Sequence, residues 1–107
     1  MKPDFGWTDR RKQEAPPDAE RVLVWHIYNG AMVMRTNDMN ELITHWMYLP
    51  TEDAPWHDTK TDRPTQGDAD ETGCVIGMDC DKRIRVVGWH QIGAKGAAHY
   101  EKWMRIP

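Results

Sequence analysis

The chain has 107 residues, a formal net charge of −3 and two cysteines, so it can form at most one compact domain with a modest core. The negative charge does not favour binding to double-stranded nucleic acid, and no apolar run is long enough to span a membrane. Residues 1–13 are polar and lack the apolar segment of an export signal. We therefore expect a cytoplasmic protein with reduced thiols.

Tryptophan dominates the aromatic residues, with six Trp and one Phe. A Trp side chain can bury a large apolar area while its indole N–H still requires a hydrogen-bond acceptor. We expect most of the six to anchor the core. The alternative is that one or two are exposed and bind a partner, since Trp is common at interface hot spots.

The first predicted strand is VLVWHIY (22–28), which is rich in β-branched and aromatic residues. Asn29-Gly30 follows, and then AMVMR (31–35). An Asn-Gly pair between two apolar runs is typical of a β-hairpin with a two-residue type I′ turn, in which both residues have positive φ. Residues 36–41 are predicted to form a loop or a short helix, before an apolar segment (43–49) that stops at a proline.

The middle of the chain, residues 50–73, is predicted to be a long connection because it is rich in proline and acids. Its seven acidic residues contrast with the six basic residues in 82–107. This pattern predicts an acidic solvated loop beside a basic sheet face, or alternatively a surface of two signs that selects a charged partner. Trp56 is expected to pin the connection to the core.

A second hairpin is predicted from CVIGM (74–78) and RIRVVGW (83–89), joined by a turn over 79–82. Residues 93–98 (GAKGAA) are predicted to be a flexible loop. The last segment, 99–107, is predicted to be a strand or a short helical turn followed by one.

The two halves share an order of features, which predicts an internal repeat with copies at 7–50 and 56–107. Each copy has a Trp, then prolines and acids, then a hairpin, and each ends in a similar phrase, WMYLP (46–50) or WMRIP (103–107). Alternation along a strand places Trp and Met on opposite faces, and Pro ends the ladder. The predicted repeat anchors are Trp7, Trp46, Pro50, Trp56, Trp103 and Pro107.

These patterns predict a mainly β fold, with α+β as the alternative. We expect four to six antiparallel strands in a small sheet, barrel or sandwich, built from two pseudo-repeated β-hairpin units in a single compact domain (1–107). Exposed strand edges in such a fold would allow a dimer.

ITHWMYLP (43–50), preceded by Trp7 and PPDAERVLVW (16–25), resembles the phage- and prophage-encoded family known as domain of unknown function 551. In that family a Trp near the start is followed by LPP…ERVLVY, a hairpin and THWMPLPEPP. Tyr48 stands where the family usually has Pro, and the second half departs further, although RVVGWHQI (85–92) is similar to the family's second strand. The resemblance implies a phage or prophage setting in a bacterial host cell, and no functional residues, because the family has no established activity.

The residues that carry chemistry form no specific catalytic pattern. Cys74 lies in an apolar strand and Cys80 lies between two Asp residues, and both settings disfavour a thiolate. Their C-x5-C spacing matches no common zinc or redox motif. Histidines beside Trp, at 26 and 90, are ordinarily half-buried strand residues, although such a pair could also stack on a base or ligate a metal. We predict no catalytic residue, no metal and no cofactor.

A candidate binding surface lies in the second half, where basic and aromatic residues alternate. Stacking rings beside a basic groove suit a small nucleotide. Its predicted residues are Arg83, Arg85, Trp89, His90, Trp103 and Arg105.

From the absence of a catalytic pattern and from the phage resemblance, we expect a non-catalytic accessory binding protein. The leading hypothesis is an inhibitor of a host antiviral defence system, such as a CRISPR effector, that acts by binding a host protein. The alternatives are a binder or sponge for a signalling nucleotide, and a small metal- or thiol-dependent enzyme.

Overall fold

The fold was analysed in a computed structural model that describes residues 6–16, 21–92 and 100–107. These residues form eight β-strands and three short 3₁₀ turns, so the predicted mainly β fold is confirmed. The part of the chain described contains no helix long and apolar enough to cross a membrane. The strands are β1 (Thr8–Asp9), β2 (Val22–His26), β3 (Gly30–Met34), β4 (Ile43–Met47), β5 (His57–Asp58), β6 (Cys74–Asp79), β7 (Ile84–Gly88) and β8 (Tyr100–Met104).

The strands form two open four-stranded antiparallel sheets, in the orders β1-β4-β2-β3 and β5-β8-β6-β7. Each sheet belongs to one of two compact units, which comprise residues 1–49 with Pro107, and residues 50–106. The predicted single compact domain over 1–107 stays a prediction. The predicted loop at 93–98 lies outside the described residues.

The two sheets repeat each other pair by pair, which supports the predicted internal repeat. In the first sheet Val24 pairs with Trp46, and in the second Gly77 pairs with Trp103. After one more pair, the register of both ladders shifts. Thr44 of β4 therefore has no partner on β2, and Glu101 of β8 has no partner on β6. A bulge of this kind bends a strand and redirects its side chains.

The described residues form more strands than the four to six that were predicted. The additional strands include β1 and β5, which are two residues long. Polar residues such as these carry no hydrophobic strand pattern, so the expectation omitted them. Each short strand is followed by a turn whose last carbonyl accepts the indole N–H of a buried Trp. Trp46 Nε1 donates to the Gln13 carbonyl at 2.9 Å, and Trp103 Nε1 donates to that of Asp62.

The six Trp residues are distributed between core and half-buried positions. Trp25, Trp46 and Trp103 are buried, and the other three are half-buried, so no Trp is exposed. In the first unit Trp46 packs with Val22, Val24 and Ile43. In the second unit Trp103 packs with aliphatic and aromatic residues that include Val75, Ile92 and Tyr100.

The first hairpin exists, but its predicted two-residue type I′ turn is wrong. Residues 27–29 form the turn, His26 pairs with Gly30, and Gly30 rather than Asn29 has a positive φ, of 77°. The cause is the side chain of His26, whose Nδ1 accepts hydrogen bonds from the backbone N–H groups of Tyr28 and Asn29, both at 3.1 Å. The second hairpin uses Asp79 at the same position, since its Oδ1 accepts from the N–H groups of Asp81 and Arg83.

At one core site the two units have different pairs of residues, and in the second unit a larger side chain accompanies a smaller one. The first unit has Val24 and Ile43 where the second has Gly77 and Tyr100. A Cβ at Gly77 would lie 2.8 Å from Cδ1 of Tyr100 and 3.1 Å from Cδ1 of Ile92. Gly77 therefore leaves the space that the buried Tyr100 ring occupies.

We predict that Gly77→Val destabilises the protein by about 1–3 kcal/mol, the usual cost of an overpacked core. Urea denaturation followed by Trp fluorescence measures the change. The double variant Gly77→Val/Tyr100→Ile recreates the pair found in the first unit and should recover part of the loss. Equal stability of Gly77→Val and the parent chain would contradict this account of the packing.

Candidate functional site

The candidate site is a groove in the first unit with a volume of approximately 570 Å³. This volume lies within the range of ordinary ligand sites, which is about 300–1,000 Å³. Three segments build the groove: the turn after β1, the end of β2 and the bulged start of β4. Its lining residues are Asp9, Arg10, Arg11, Glu14, Trp25, Ile27, Glu41, Ile43, Thr44 and His45.

A row of side chains across the sheet forms one wall of the groove. Asp9 of β1 pairs with His45 of β4, and His45 pairs with Trp25 of β2. Directly paired residues lie on the same face of an antiparallel sheet, so a carboxylate, an imidazole and an indole follow one another across three strands. Ile43 and Trp25 are buried and give the groove an apolar surface. His45 Nδ1 is hydrogen-bonded to Thr44 Oγ1 at 2.8 Å.

Arg10 ties the turn after β1 to the segment before β4. Its Nη1 donates to the carbonyls of Asn40 at 2.6 Å and Ile43 at 3.1 Å, and its Nε donates to Glu14 Oε1 at 2.6 Å. The Arg10 backbone N–H also donates to the carbonyl of Thr44, the bulge residue. The groove is thus formed before any ligand arrives, which reduces the ordering cost of binding.

Asp9 and Arg11 form an ion pair at the edge of the groove. Arg11 donates from Nε and Nη2 to the two carboxylate oxygens, at 3.2 and 2.9 Å, and its backbone N–H donates to Oδ1. The side-chain bonds, then the backbone bond, with a smaller contribution from the charge of Arg11, lower the pKa of Asp9 from 3.8 to about 2. Asp9 is therefore ionised at any physiological pH, while the Arg11 side chain remains 89% exposed.

The tip of the first hairpin adds exposed apolar surface beside the groove. Ile27, which lines the groove, is 47% exposed, and Tyr28 is 77% exposed. The two hydrogen bonds to His26 fix the backbone that carries them, and the His26 and Tyr28 rings contact each other with centroids 5.9 Å apart. A large apolar residue held in place at a turn is an effective contact residue, because little entropy is lost when it binds.

The residues predicted to form a binding surface all lie in the second unit. Trp103 and Arg105 are engaged in internal contacts. Trp103 is 1% exposed, and the His57 ring stacks on it at 4.4 Å. Arg105 pairs with Asp68 at 2.6 Å. The hydrogen bond from the backbone N–H of Thr65, and then that from Arg105, lower the pKa of Asp68. Arg85 lies in the same cross-strand row as Trp103 and, like Arg83, is exposed.

The pair Trp89-His90 is also engaged within the second unit. The two rings contact edge to face at 6.0 Å, and the His90 ring lies over Gly88, where a Cβ would come within 2.8 Å of it. Trp89 is half-buried and packs against the core of this unit. No group of three or more His, Cys, Asp or Glu residues is arranged to hold a metal ion within the described ranges.

The sequence prediction missed the groove, although one signal for its first wall was present. Trp-x-Asp occurs at 7–9 and again at 56–58, and in both copies the Asp side chain accepts the N–H two residues later. The remaining walls come from β2 and β4, which are distant from residue 9 in the chain. Only the pairing register brings them together.

We predict that replacing His26 by Leu accelerates hydrogen exchange of the Tyr28 amide by roughly 2- to 12-fold, the equivalent of one net hydrogen bond. His26→Asp supplies the acceptor that Asp79 supplies in the second hairpin, and it should restore most of the protection. Amide exchange followed by NMR measures both variants. Unchanged protection in His26→Leu would show that the side chain does not hold the turn.

We predict that Arg11→Ala raises the pKa of Asp9 from about 2 toward 3.8, because the strongest hydrogen bonds to the carboxylate are lost while the backbone N–H remains. The folded-state pKa is the lower one, so ionised Asp9 stabilises the fold above about pH 4 and this stabilisation is lost as the pH falls toward 2. A carboxyl NMR titration measures the pKa. Lys60→Ala, at the matching position of the second unit, is the control and should leave Asp9 unchanged.

Comparison with known proteins gave no match: no protein-family model, no curated protein and no solved structure is significantly similar to this chain.

Proposed function

We propose that this chain is a non-catalytic binding protein whose first unit contacts another protein. The observation that carries the proposal is the pair of exposed apolar side chains, Ile27 and Tyr28, on a turn fixed by His26 and adjacent to a preformed groove. Single exposed apolar residues are common on monomers, but adjacent ones beside a groove are typical of an interaction surface.

The composition of this surface supports a protein partner. Tyr is enriched at hot spots because it supplies a large apolar ring and a hydroxyl with few rotatable bonds. Arg11 and Glu41, which line the groove with Ile27, are exposed and supply a polar rim. An apolar centre with a polar rim is the usual anatomy of a protein interface.

The identity of the partner is proposed from the resemblance of residues 43–50 and 16–25 to a phage-encoded family. We propose a phage or prophage accessory protein in the cytoplasm of a bacterial host, with a component of an antiviral defence system, such as a CRISPR effector, as its target. Inhibition would follow from occupying that component.

We predict that Tyr28→Ala weakens partner binding by about 2 kcal/mol, or close to 30-fold in Kd, as expected for a hot-spot Tyr. The measurement is a pull-down of the tagged chain from bacterial lysate, with mass spectrometry, followed by titration of the captured protein. Tyr48→Ala is the matched control, because Tyr48 is also exposed, at 62%, but follows β4 and does not belong to the tip of the first hairpin.

Equal loss of binding in the Tyr28 and Tyr48 variants would contradict the assignment of the surface. Failure to capture any protein with the unmodified chain would contradict the proposed protein partner. Circular dichroism of each variant shows whether the fold is retained.

A further inference from the structure

We infer that the groove of the first unit accepts a cationic side chain with an apolar stem, a Lys or Arg of the partner protein, with Glu41 as its counter-charge. This inference rests on the proposed function for the source of the cation. The groove chemistry itself is independent of it.

The charges of the side chains that line the groove do not balance. Two Arg and three acidic residues line the groove, which gives a formal charge of −1 with His45 neutral. Arg10 is paired with Glu14, and Arg11 is paired with Asp9. Within residues 6–16, 21–92 and 100–107 no ion pair to Glu41 is found, so its carboxylate is the uncompensated charge.

The groove disfavours an anion, because both of its Arg side chains are already paired. An anionic ligand would have to compete for Arg11 with Asp9, whose side chain is only 17% exposed and accepts three hydrogen bonds from Arg11. Separating the pair would leave a poorly solvated carboxylate without its partner, which is costly. Arg10 is also engaged, since it donates to one carboxylate and two backbone carbonyls.

The groove also has an apolar surface. Trp25, Ile27 and Ile43 contribute hydrophobic lining, so a bound cation needs an apolar portion that can replace water there. Lys and Arg have this composition, because a methylene stem carries the charged head. Arg can in addition place its guanidinium against an indole face.

The experiment uses two capped tripeptides, Ac-Leu-Arg-Leu-NH₂ and Ac-Leu-Glu-Leu-NH₂, which differ in the charge of the central residue. Each is titrated into the full chain, and the backbone amide shifts of Ile43, Thr44 and His45 are followed by NMR. We expect the Arg peptide to bind about fivefold more tightly than the Glu peptide, as for one exposed charge interaction. In Glu41→Gln the two peptides should bind nearly equally, whereas the control Glu52→Gln, an exposed Glu of the second unit, should keep the preference.

The proposal is overturned if neither peptide shifts these amides, if the Glu peptide binds as tightly as the Arg peptide, or if the preference persists in Glu41→Gln. These results are separable from those for the proposed function. A Glu41-dependent preference without any captured protein would retain the cation site and remove the protein partner. If capture of a protein depends on Tyr28 but the chain shows no preference between the peptides, the protein partner is retained and the cation site is removed.

Discussion

The need of a buried indole N–H for an acceptor organises both units of this protein. Trp46 and Trp103 are almost completely buried, and an unsatisfied N–H at such a position would cost on the order of 1–3 kcal/mol. Trp46 donates to the carbonyl of Gln13, four residues after Asp9 of β1. Trp103 donates to the carbonyl of Asp62, four residues after Asp58 of β5. Each carbonyl is presented by a turn in which the Asp carboxylate and carbonyl both accept backbone N–H groups. The core Trp and the surface turn therefore depend on each other.

This dependence explains why the candidate site lies where it does. In the first unit the same turn carries Arg10 and Arg11, so the hydrogen bond of Trp46 positions the wall of the groove. The bulge at Thr44 supplies a carbonyl to the Arg10 N–H and bends β4 along the groove. The buried core thus holds a groove whose rim residues Arg11 and Glu41 are exposed, an arrangement that suits preorganised binding.

The sequence was sufficient to predict both hairpins but neither the two-residue strands β1 and β5 nor the groove. Runs of β-branched residues and the repeated WM-x-[LI]-P phrase identified both hairpins and the internal repeat, because these signals are local. The turn type at Asn29-Gly30 was mispredicted because the imidazole of His26 competes for the backbone N–H groups that define the turn. The groove could not be predicted, since its residues meet only through cross-strand register. The binding surface predicted from the basic and aromatic residues of the second half stays a prediction, and their alternation does not reveal that Trp103 is buried or that Arg105 pairs with Asp68.

The comparison of the two units shows how one backbone can support different surfaces. Asp9 and Asp58 occupy the same position and cap the same turn, so this residue belongs to the scaffold. The next position does not repeat: Arg10 reaches three acceptors, whereas Thr59 is buried and its hydroxyl has no partner among the described residues. At the position of Trp25 the second unit has Met78, and at that of His45 it has Lys102. Among the described residues, the second unit therefore repeats the residues that make the fold but has different residues at the positions of Arg10, Trp25 and His45, which is why the binding role is proposed for the first unit.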